Sequence, residues 1–409
     1  MNPTIFISAG EASGEHYGAL LLTALTRLSK TQKREVPLRF IGMGGERMEA
    51  AGLERIVKAE DMAVMGLTEV VRHLPRIWGE FRKLKATIRR ERPAVAVLID
   101  FPEIHLRLAR LFHQLGIPVV YFVSPQIWAW KQHRIRLVQQ FVRRMAVIFP
   151  FEEAFYRSHG VDAEFVGHPL AELPLPVISR QDFAAPNGLD PARTWVGLLP
   201  GSRPHEIRDH LPELLNAARQ LTAAQPSTHF DFLVPLASTL NEPQCQQVRT
   251  HVLDHGAGLP IHLVSDARAA LFHARASVVA SGTATVEAAL IGNPFVVVYR
   301  VSPITYAIAK RVVKVSRVAM ANLIAGRDIV PELLQDDFRA EKIVQHLGRL
   351  LPDGAPRQSM MQDLQSVRAA LRPAADSCNV SGSGAVERVA AIVLEELARA
   401  SRASAPALS

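Results

Sequence analysis

The sequence predicts an α/β protein of two Rossmann-like domains, each a parallel sheet with helices on both faces and the two meeting at an interdomain cleft. Three observations predict this. Short β-branched runs alternate with amphipathic helical stretches along most of the chain. The runs are continuously apolar rather than alternating, as strands covered on both faces are. A chain of 409 residues suits two domains better than one.

The elements follow in order. TIFISAG, LRFIGMG, AVAVLID, PVVYFVS and MAVIFP read as buried strands of the first half, and AEFVGHP as its last. Helical stretches such as HYGALLLTALTRLSK separate them. The N-terminal domain is expected over 1–172, and a Pro-rich linker over 173–192. TWVGLLPGSR, HFDFLVPL, IHLVS, ASVVASG and PFVVVYRV repeat the rhythm in a C-terminal, nucleotide-sugar-binding domain over 193–372. A Gly/Ser connector and a terminal helix fill 373–400, and a disordered tail 401–409.

Composition narrows the function. The net charge is +8, which favours anionic partners: phosphorylated substrates, an anionic membrane surface or nucleic acid. Aromatic residues are only 6%, so the interleaved basic and aromatic face of a nucleic-acid binder is missing, and no nucleic-acid partner is expected. The two cysteines, Cys245 and Cys378, lack metal-site spacing, so a zinc site or a disulfide framework is not expected. MNPTIFISAG enters a strand pattern directly, without a signal peptide's basic start and long apolar core. No apolar run reaches the roughly 20 residues that a membrane-spanning helix needs.

Four segments carry chemistry. SGTATVE, Ser281 to Glu287, ends the apolar run ASVVA. Small hydroxyl residues and Gly282 at a strand-to-helix turn leave backbone N–H groups open to an anion, with the positive helix end behind them. Glu287, in the first turn of that helix, suits hydroxyls such as those of a ribose. LLPGSR ends another strand: Gly201 permits the turn, Ser202 can bond a phosphate oxygen, and Arg203 can clamp a diphosphate. The alternative is a surface pair between Arg203 and Glu206. SAGEASGEHYGA, opening the first helix, offers Ser8, Gly10, Glu11, Ser13, Gly14 and Glu15 either as an anion-binding loop or as a tight turn. Asp100 closes a buried strand, where such folds place their sites. It reads equally as a base for an attacking hydroxyl or as a cap of the next helix; His105 and His16 are alternative bases.

Two basic, apolar stretches could lie on lipid or simply be amphipathic core helices: the one from Met65 to Lys85, with Trp78 and Phe81, and the one from Ile308 to Arg317. Asn322, Glu332 and Gln335 sit in a segment that alone reads as a loop and an amphipathic helix.

With these residues in hand, the chain resembles the lipid-A-disaccharide synthase family of GT-B glycosyltransferases. SAGEASGE, MGLTEVV, IDFPEIH, SPQIWAW, FVGHPL, LLPGSR, SGTATVEAAL, ANLIAG and VPELLQ carry the likeness, in order, over most of the chain. The resemblance implies UDP-2,3-diacylglucosamine as donor and 2,3-diacylglucosamine 1-phosphate as acceptor, joined to a β-1,6 disaccharide with release of UDP. It implies Asp100 as general base, Arg203 on the diphosphate, Ser281, Gly282, Thr283 and Thr285 around the phosphates, and Glu287 on the ribose. Asn322 and Gln335 would lie near the donor. One departure is Ala321, where the family pattern has Pro before the asparagine.

The expected mechanism is a direct, inverting displacement. No Asp-x-Asp pair stands at a strand end, so no metal and no cofactor are expected. The expected location is the cytoplasm, peripheral on the inner face of the membrane; a homo-oligomer is left open. A UDP-sugar 2-epimerase and a non-catalytic nucleotide-sugar binder share the phosphate loops and stand as alternatives.

Overall fold

The computed structural model describes residues 3–31, 37–62, 67–237, 240–302, 305–306, 317–373 and 384–403, with 67–74 as backbone only. Met65, the stretch 308–316, most of the Gly/Ser connector and the tail from 404 lie outside the described residues. The chain forms two compact units, 1–172 with 371–409, and 173–370.

The first unit has β1 (Thr4–Ala9), α1 (Ala12–Thr31), β2 (Arg39–Gly44), α2 (Glu46–Ala50), β3 (Leu53–Lys58), α3 (Leu67–Glu91), β4 (Val95–Ile99) and α4 (Pro102–Gln114). It continues with β5 (Val119–Phe122), α5 (Ile135–Phe141), β6 (Arg144–Val147), α6 (Pro150–Ser158) and β7 (Ala163–Phe165). Among the described residues its seven strands are parallel, in the order β3-β2-β1-β4-β5-β6-β7. VAVLI in β4 is buried at every position, as a central strand covered on both faces must be. Phe6, Leu98, Phe112 and Tyr121 anchor the core beside it. Pro102 and Pro150 start α4 and α6, where a missing N–H costs nothing.

The second unit has α7 (Arg180–Asn187), β8 (Thr194–Leu199), α8 (Pro204–Ala224), β9 (Phe230–Pro235), α9 (Glu242–His255), β10 (Ile261–Val264), α10 (Ala267–His273) and β11 (Ala276–Ala280). It continues with α11 (Thr283–Ile291), β12 (Phe295–Tyr299), α12 (Met320–Ala325), β13 (Glu332–Leu334), α13 (Ala340–Leu350) and α14 (Ala355–Ala370). Among the described residues six parallel strands run in the order β10-β9-β8-β11-β12-β13.

Each sheet reverses its order beside its first strand, at β1/β4 and at β8/β11. Crevices at the carboxyl ends of such strand pairs are where doubly wound sheets bind ligands. All the phosphate-type loops and Asp100 stand at these four strand ends.

The stretch 173–192, expected as a linker, contains α7 and belongs to the second unit. Ser179 caps α7 by accepting from the Asp182 N–H (3.1 Å), and Gly188 closes it at φ 65°. Phe183 and Leu189 are buried with Trp195 and Leu233. The density of prolines hid this cap and this apolar pair. The terminal helix α15 (Ala385–Ala403) packs on α1 of the first unit, with Glu387 paired to Arg27 at 2.7 Å. It runs to Ala403, past the expected start of the tail at 401.

Candidate active site

In the first unit, β4 ends in two consecutive non-glycine residues in the left-handed region, Asp100 and Phe101, both at φ 50°. This conformation is costly for L residues and persists only when neighbours hold it. Here the Asp100 N–H donates to the Phe122 carbonyl (3.0 Å). The Asp100 carbonyl accepts from Tyr121 Oη (2.6 Å) and from His105 Nδ1 (2.7 Å). The Phe101 ring lies where a Cβ on Gly10 would be, 2.4 Å from its nearest atom, so only glycine fits there.

The Asp100 side chain is half-buried at the strand end. Its carboxyl is pushed up to about 7, first by burial, then by the charge of Glu11; a hydrogen bond from the Phe101 N–H pulls the other way. No side chain caps α4, so the helix-cap reading of Asp100 is not realised. A carboxylate that titrates near neutrality is suited to exchange protons at physiological pH.

The other N-terminal candidates divide. Glu11 faces Asp100 closely enough to shift it. Ser13 is half-buried in the first turn of α1, and Gly14 is buried against the strand ends, where a Cβ would meet Ile99 at 3.6 Å, an ordinary contact. Ser8 is fully buried, and its hydroxyl lies 2.8 Å from His105 Nε2, so it is taken up inside the fold rather than offered to a ligand. Glu15 accepts from the Arg47 N–H (2.9 Å) at the start of α2. His105 is fully buried with both ring nitrogens engaged, by Ser8 and by the Asp100 carbonyl, which excludes it as the base; burial pushes its imidazole down to about 4. His16, in α1, is also pushed down, by burial first and then by Arg47.

The neighbouring loop SPQIWAW is anchored by Glu152, which is buried and accepts from Ser124 Oγ (2.6 Å) and Trp128 Nε1 (3.0 Å). Val123, at φ 61°, opens that loop. The sequence gives one sign of this anchor, a glutamate at the third position of a helix started by proline.

In the second unit, β8 leads into Gly201 at φ 123°. A Cβ there would come 2.4 Å from Glu206 Oε2. Glu206 Oε2 accepts from the Ser202 N–H (3.1 Å) and the Arg203 N–H (3.2 Å). Its Oε1 takes Arg203 Nη1 (3.4 Å) and Tyr299 Oη (3.3 Å). Glu206 therefore shapes the loop and occupies the backbone donors that could have cradled a phosphate. The pair expected as the alternative is present, but it uses one edge of the guanidinium at 3.4 Å, and the Arg203 side chain remains 41% exposed. His210, fully buried, sets its Nδ1 2.7 Å from the Pro200 carbonyl and accepts from the Arg300 N–H (3.1 Å), tying the ends of β8 and β12 together.

At β11, Ser281 is half-buried, and Gly282 and Thr283 are exposed. Gly282 adopts φ 148°, ψ −160°, and no side chain caps α11. This turn has the open helix N-terminus expected of an anion site. Thr285 does not face it: its fully buried hydroxyl donates back to the Gly282 carbonyl (2.7 Å). Glu287 is raised above the usual carboxylate range by burial, partly offset by Arg268 at 3.9 Å.

Asn322 and Gln335, expected near the donor, are spent within the fold. Asn322 is buried; its nitrogen donates to the Val330 carbonyl (2.9 Å) and Glu332 Oε1 (2.8 Å), and its oxygen accepts from the Ile329 (2.8 Å) and Val330 (2.9 Å) N–H groups. Every hydrogen-bonding valence is used, so none remains for a ligand. Glu332 also accepts from the Val318 and Ala319 N–H groups, both at 2.9 Å, where the chain enters α12. With its amide oriented so that both atoms are satisfied, Gln335 pairs with the Val301 backbone, its nitrogen 3.1 Å from the carbonyl and its oxygen 3.0 Å from the N–H. The segment expected as a loop and an amphipathic helix forms the short helix α12, which holds Asn322, and then the edge strand β13, which begins at Glu332. Ala321 is buried in α12.

Two parallel-sheet α/β units with an anion-type turn at a switch-point strand define a GT-B glycosyltransferase architecture. Solved structures share it: UDP-GlcNAc 2-epimerase from Neisseria meningitidis bound to UDP-GlcNAc (TM-score 0.58, 12% identity, 98% of this chain and 100% of that chain) and the calicheamicin glycosyltransferase CalG4 (TM-score 0.56, 17% identity, 97% and 99%). At these identities the likeness is one of fold. Residues 5–382 match the lipid-A-disaccharide synthetase family. The chain is 57% identical over 406 residues to the lipid-A-disaccharide synthase of Acidobacterium capsulatum (97% of each) and 50% identical over 390 residues to that of Koribacter versatilis (95% and 97%). It is 39% identical over 396 residues to that of Geobacter sulfurreducens (97% of each). The chain belongs to the lipid-A-disaccharide synthase family and is a glycosyltransferase of lipid A biosynthesis.

Proposed function

We propose that the protein transfers the sugar of UDP-2,3-diacylglucosamine to the 6-hydroxyl of 2,3-diacylglucosamine 1-phosphate, with inversion, to give the β-1,6-linked lipid A disaccharide 1-phosphate and UDP. The observation that carries this reading is Asp100: a carboxyl at a switch-point strand end, raised to about 7 by burial and by Glu11. In that role it accepts the hydroxyl proton as the acceptor oxygen forms its bond to the anomeric carbon and the bond to UDP breaks.

In the second unit, the exposed part of Arg203 meets the charge that develops on UDP, and the uncapped turn of Ser281, Gly282 and Thr283 takes the phosphates. Glu287 takes ribose hydroxyls. Glu206, Thr285, Asn322 and Gln335 act one step back, holding these loops in shape. Fixed cationic and dipolar groups then support the leaving group without a metal ion.

The enzyme works at the inner face of the cytoplasmic membrane. Among the described residues no helix is long and apolar enough to cross a membrane. α3 instead exposes Trp78 (63%) with Arg82 stacked 5.3 Å from its ring, a pairing suited to an anionic bilayer surface. The product decides the substrate and the stereochemistry: wild type incubated with both lipids should yield a disaccharide whose new anomeric coupling in NMR is β and whose linkage carbon is C6. An α linkage, or free sugar without a disaccharide, would refute the reading.

A further inference from the structure

We infer that His105, Tyr121 and Ser8 are positioning residues of the transfer reaction: His105 and Tyr121 grip the Asp100 carbonyl and Ser8 holds His105, so together they fix where the Asp100 carboxylate stands. This rests on the reading of Asp100 as the base. Asp100 and Phe101 both hold φ 50° without being glycine, so the turn that presents the carboxylate does not keep its shape by itself. Two donors converge on one carbonyl oxygen, Tyr121 Oη at 2.6 Å and His105 Nδ1 at 2.7 Å.

The chemistry of the partners assigns every proton. A carbonyl only accepts, so His105 Nδ1 carries a hydrogen. Burial keeps the imidazole neutral, which leaves Nε2 as an acceptor. Ser8 Oγ, at 2.8 Å, therefore donates to Nε2 and locks the tautomer that Asp100 needs. Ser8, His105 and Tyr121 are all fully buried, so none of them meets a substrate. Whatever they do for the reaction passes through Asp100. The three come from β1, α4 and β5, the elements flanking β4, so the grip is referred to the rigid centre of the sheet.

The experiment measures kcat and KM for acceptor-dependent UDP release by the full chain, with melting temperature and UDP binding as controls of folding. The variants are Tyr121→Phe, His105→Ala, His105→Asn, Ser8→Ala and Asp100→Asn. Loss of one neutral hydrogen bond predicts about 5-fold lower kcat for Tyr121→Phe, with KM nearly unchanged. Displacement of a reacting group predicts about 10²-fold for His105→Ala. His105→Asn, whose side-chain N–H can replace that of Nδ1, should recover about tenfold of this loss. The inference is overturned if Tyr121→Phe and His105→Ala keep wild-type kcat while Asp100→Asn is inactive. It is also overturned if His105→Asn is no better than His105→Ala, since the loss would then come from packing. If His105→Ala fails to fold, Tyr121→Phe and the gain of His105→Asn over a non-donating His105→Leu decide the matter. Wild-type turnover by Asp100→Asn would instead remove the base reading, and this inference with it.

Discussion

Glu11→Gln should make the enzyme more active below neutrality, an uncommon outcome for removing a carboxylate from an active site. Glu11 is the second cause of the raised Asp100 carboxyl, after burial. The Asp100 carboxyl stands at about 7 against an ordinary 3.8. Burial is the larger cause, so removing the Glu11 charge lowers it only part of the way back. A base must be ionised to work, so activity rises with pH through the Asp100 titration and falls as pH drops below it. With the midpoint near 7, roughly a tenth of the wild type is competent at pH 6, and a lower midpoint raises that fraction. The variant should therefore gain in relative kcat/KM at pH 6, by at most about tenfold. Above pH 8 it should lose activity, because a weaker base transfers the proton less readily. The assay is UDP release from pH 5 to 9 at low acceptor concentration, and the readout is the position of the acid limb, not its height, so a change in acceptor affinity does not confuse it. The other groups facing Asp100, the neutral His105 and the Tyr121 hydroxyl, do not change charge in this range. An acid limb that stays in place or moves upward in folded Glu11→Gln would refute the reasoning.

The remaining predictions concern the second unit. Arg203→Ala should lower kcat about 10²-fold through lost leaving-group support, yet change stability by less than about 1 kcal/mol, since its pair with Glu206 is a partly exposed contact at 3.4 Å; unchanged kcat would contradict the assignment. Asn322→Ala should cost about 3 kcal/mol in denaturant unfolding, because it strands the buried Ile329 and Val330 N–H groups and removes a donor from Glu332; a loss below about 1 kcal/mol would show that the clamp is dispensable. Turnover should be unaffected by excess EDTA, and abolition reversed by added Mg²⁺ would overturn the metal-free mechanism.

Much of the architecture was legible in the sequence because parallel strands are locally obvious: VAVLI, ASVVA and FVVVY are unbroken apolar runs that only a two-sided burial explains. The glycines at the turns were legible too, since Gly201 and Gly282 occupy backbone conformations that favour glycine. The short strands β3 and β13 were not: LERIVK alternates with exposed charges, and ELL is too short for any periodicity to register. For side chains the limit lies in their partners. Nothing near Asn322 in the chain says that its four hydrogen bonds close on residues seven to ten positions later. Nothing near Thr285 says whether its hydroxyl turns outward or back to Gly282. His105 was visible as a titratable group beside Asp100, but its neutral state follows from complete burial, and its partners are Ser8, 97 residues away, and the Asp100 carbonyl that Tyr121 shares. Glu206 was read as a partner of the Arg203 side chain; its larger task, taking two backbone N–H groups, follows from a Pro-x-Glu helix start and was open to recognition.

The central claim is that Asp100 removes the proton from the acceptor hydroxyl. Its most direct test is acceptor-dependent UDP release by Asp100→Asn, which keeps the shape of the side chain and removes its basicity, measured in detergent micelles against wild type at pH 8. The account predicts a fall in kcat of roughly 10²–10⁴-fold with UDP binding intact. Turnover within a few-fold of wild type would contradict it and move the base to another group of the first unit.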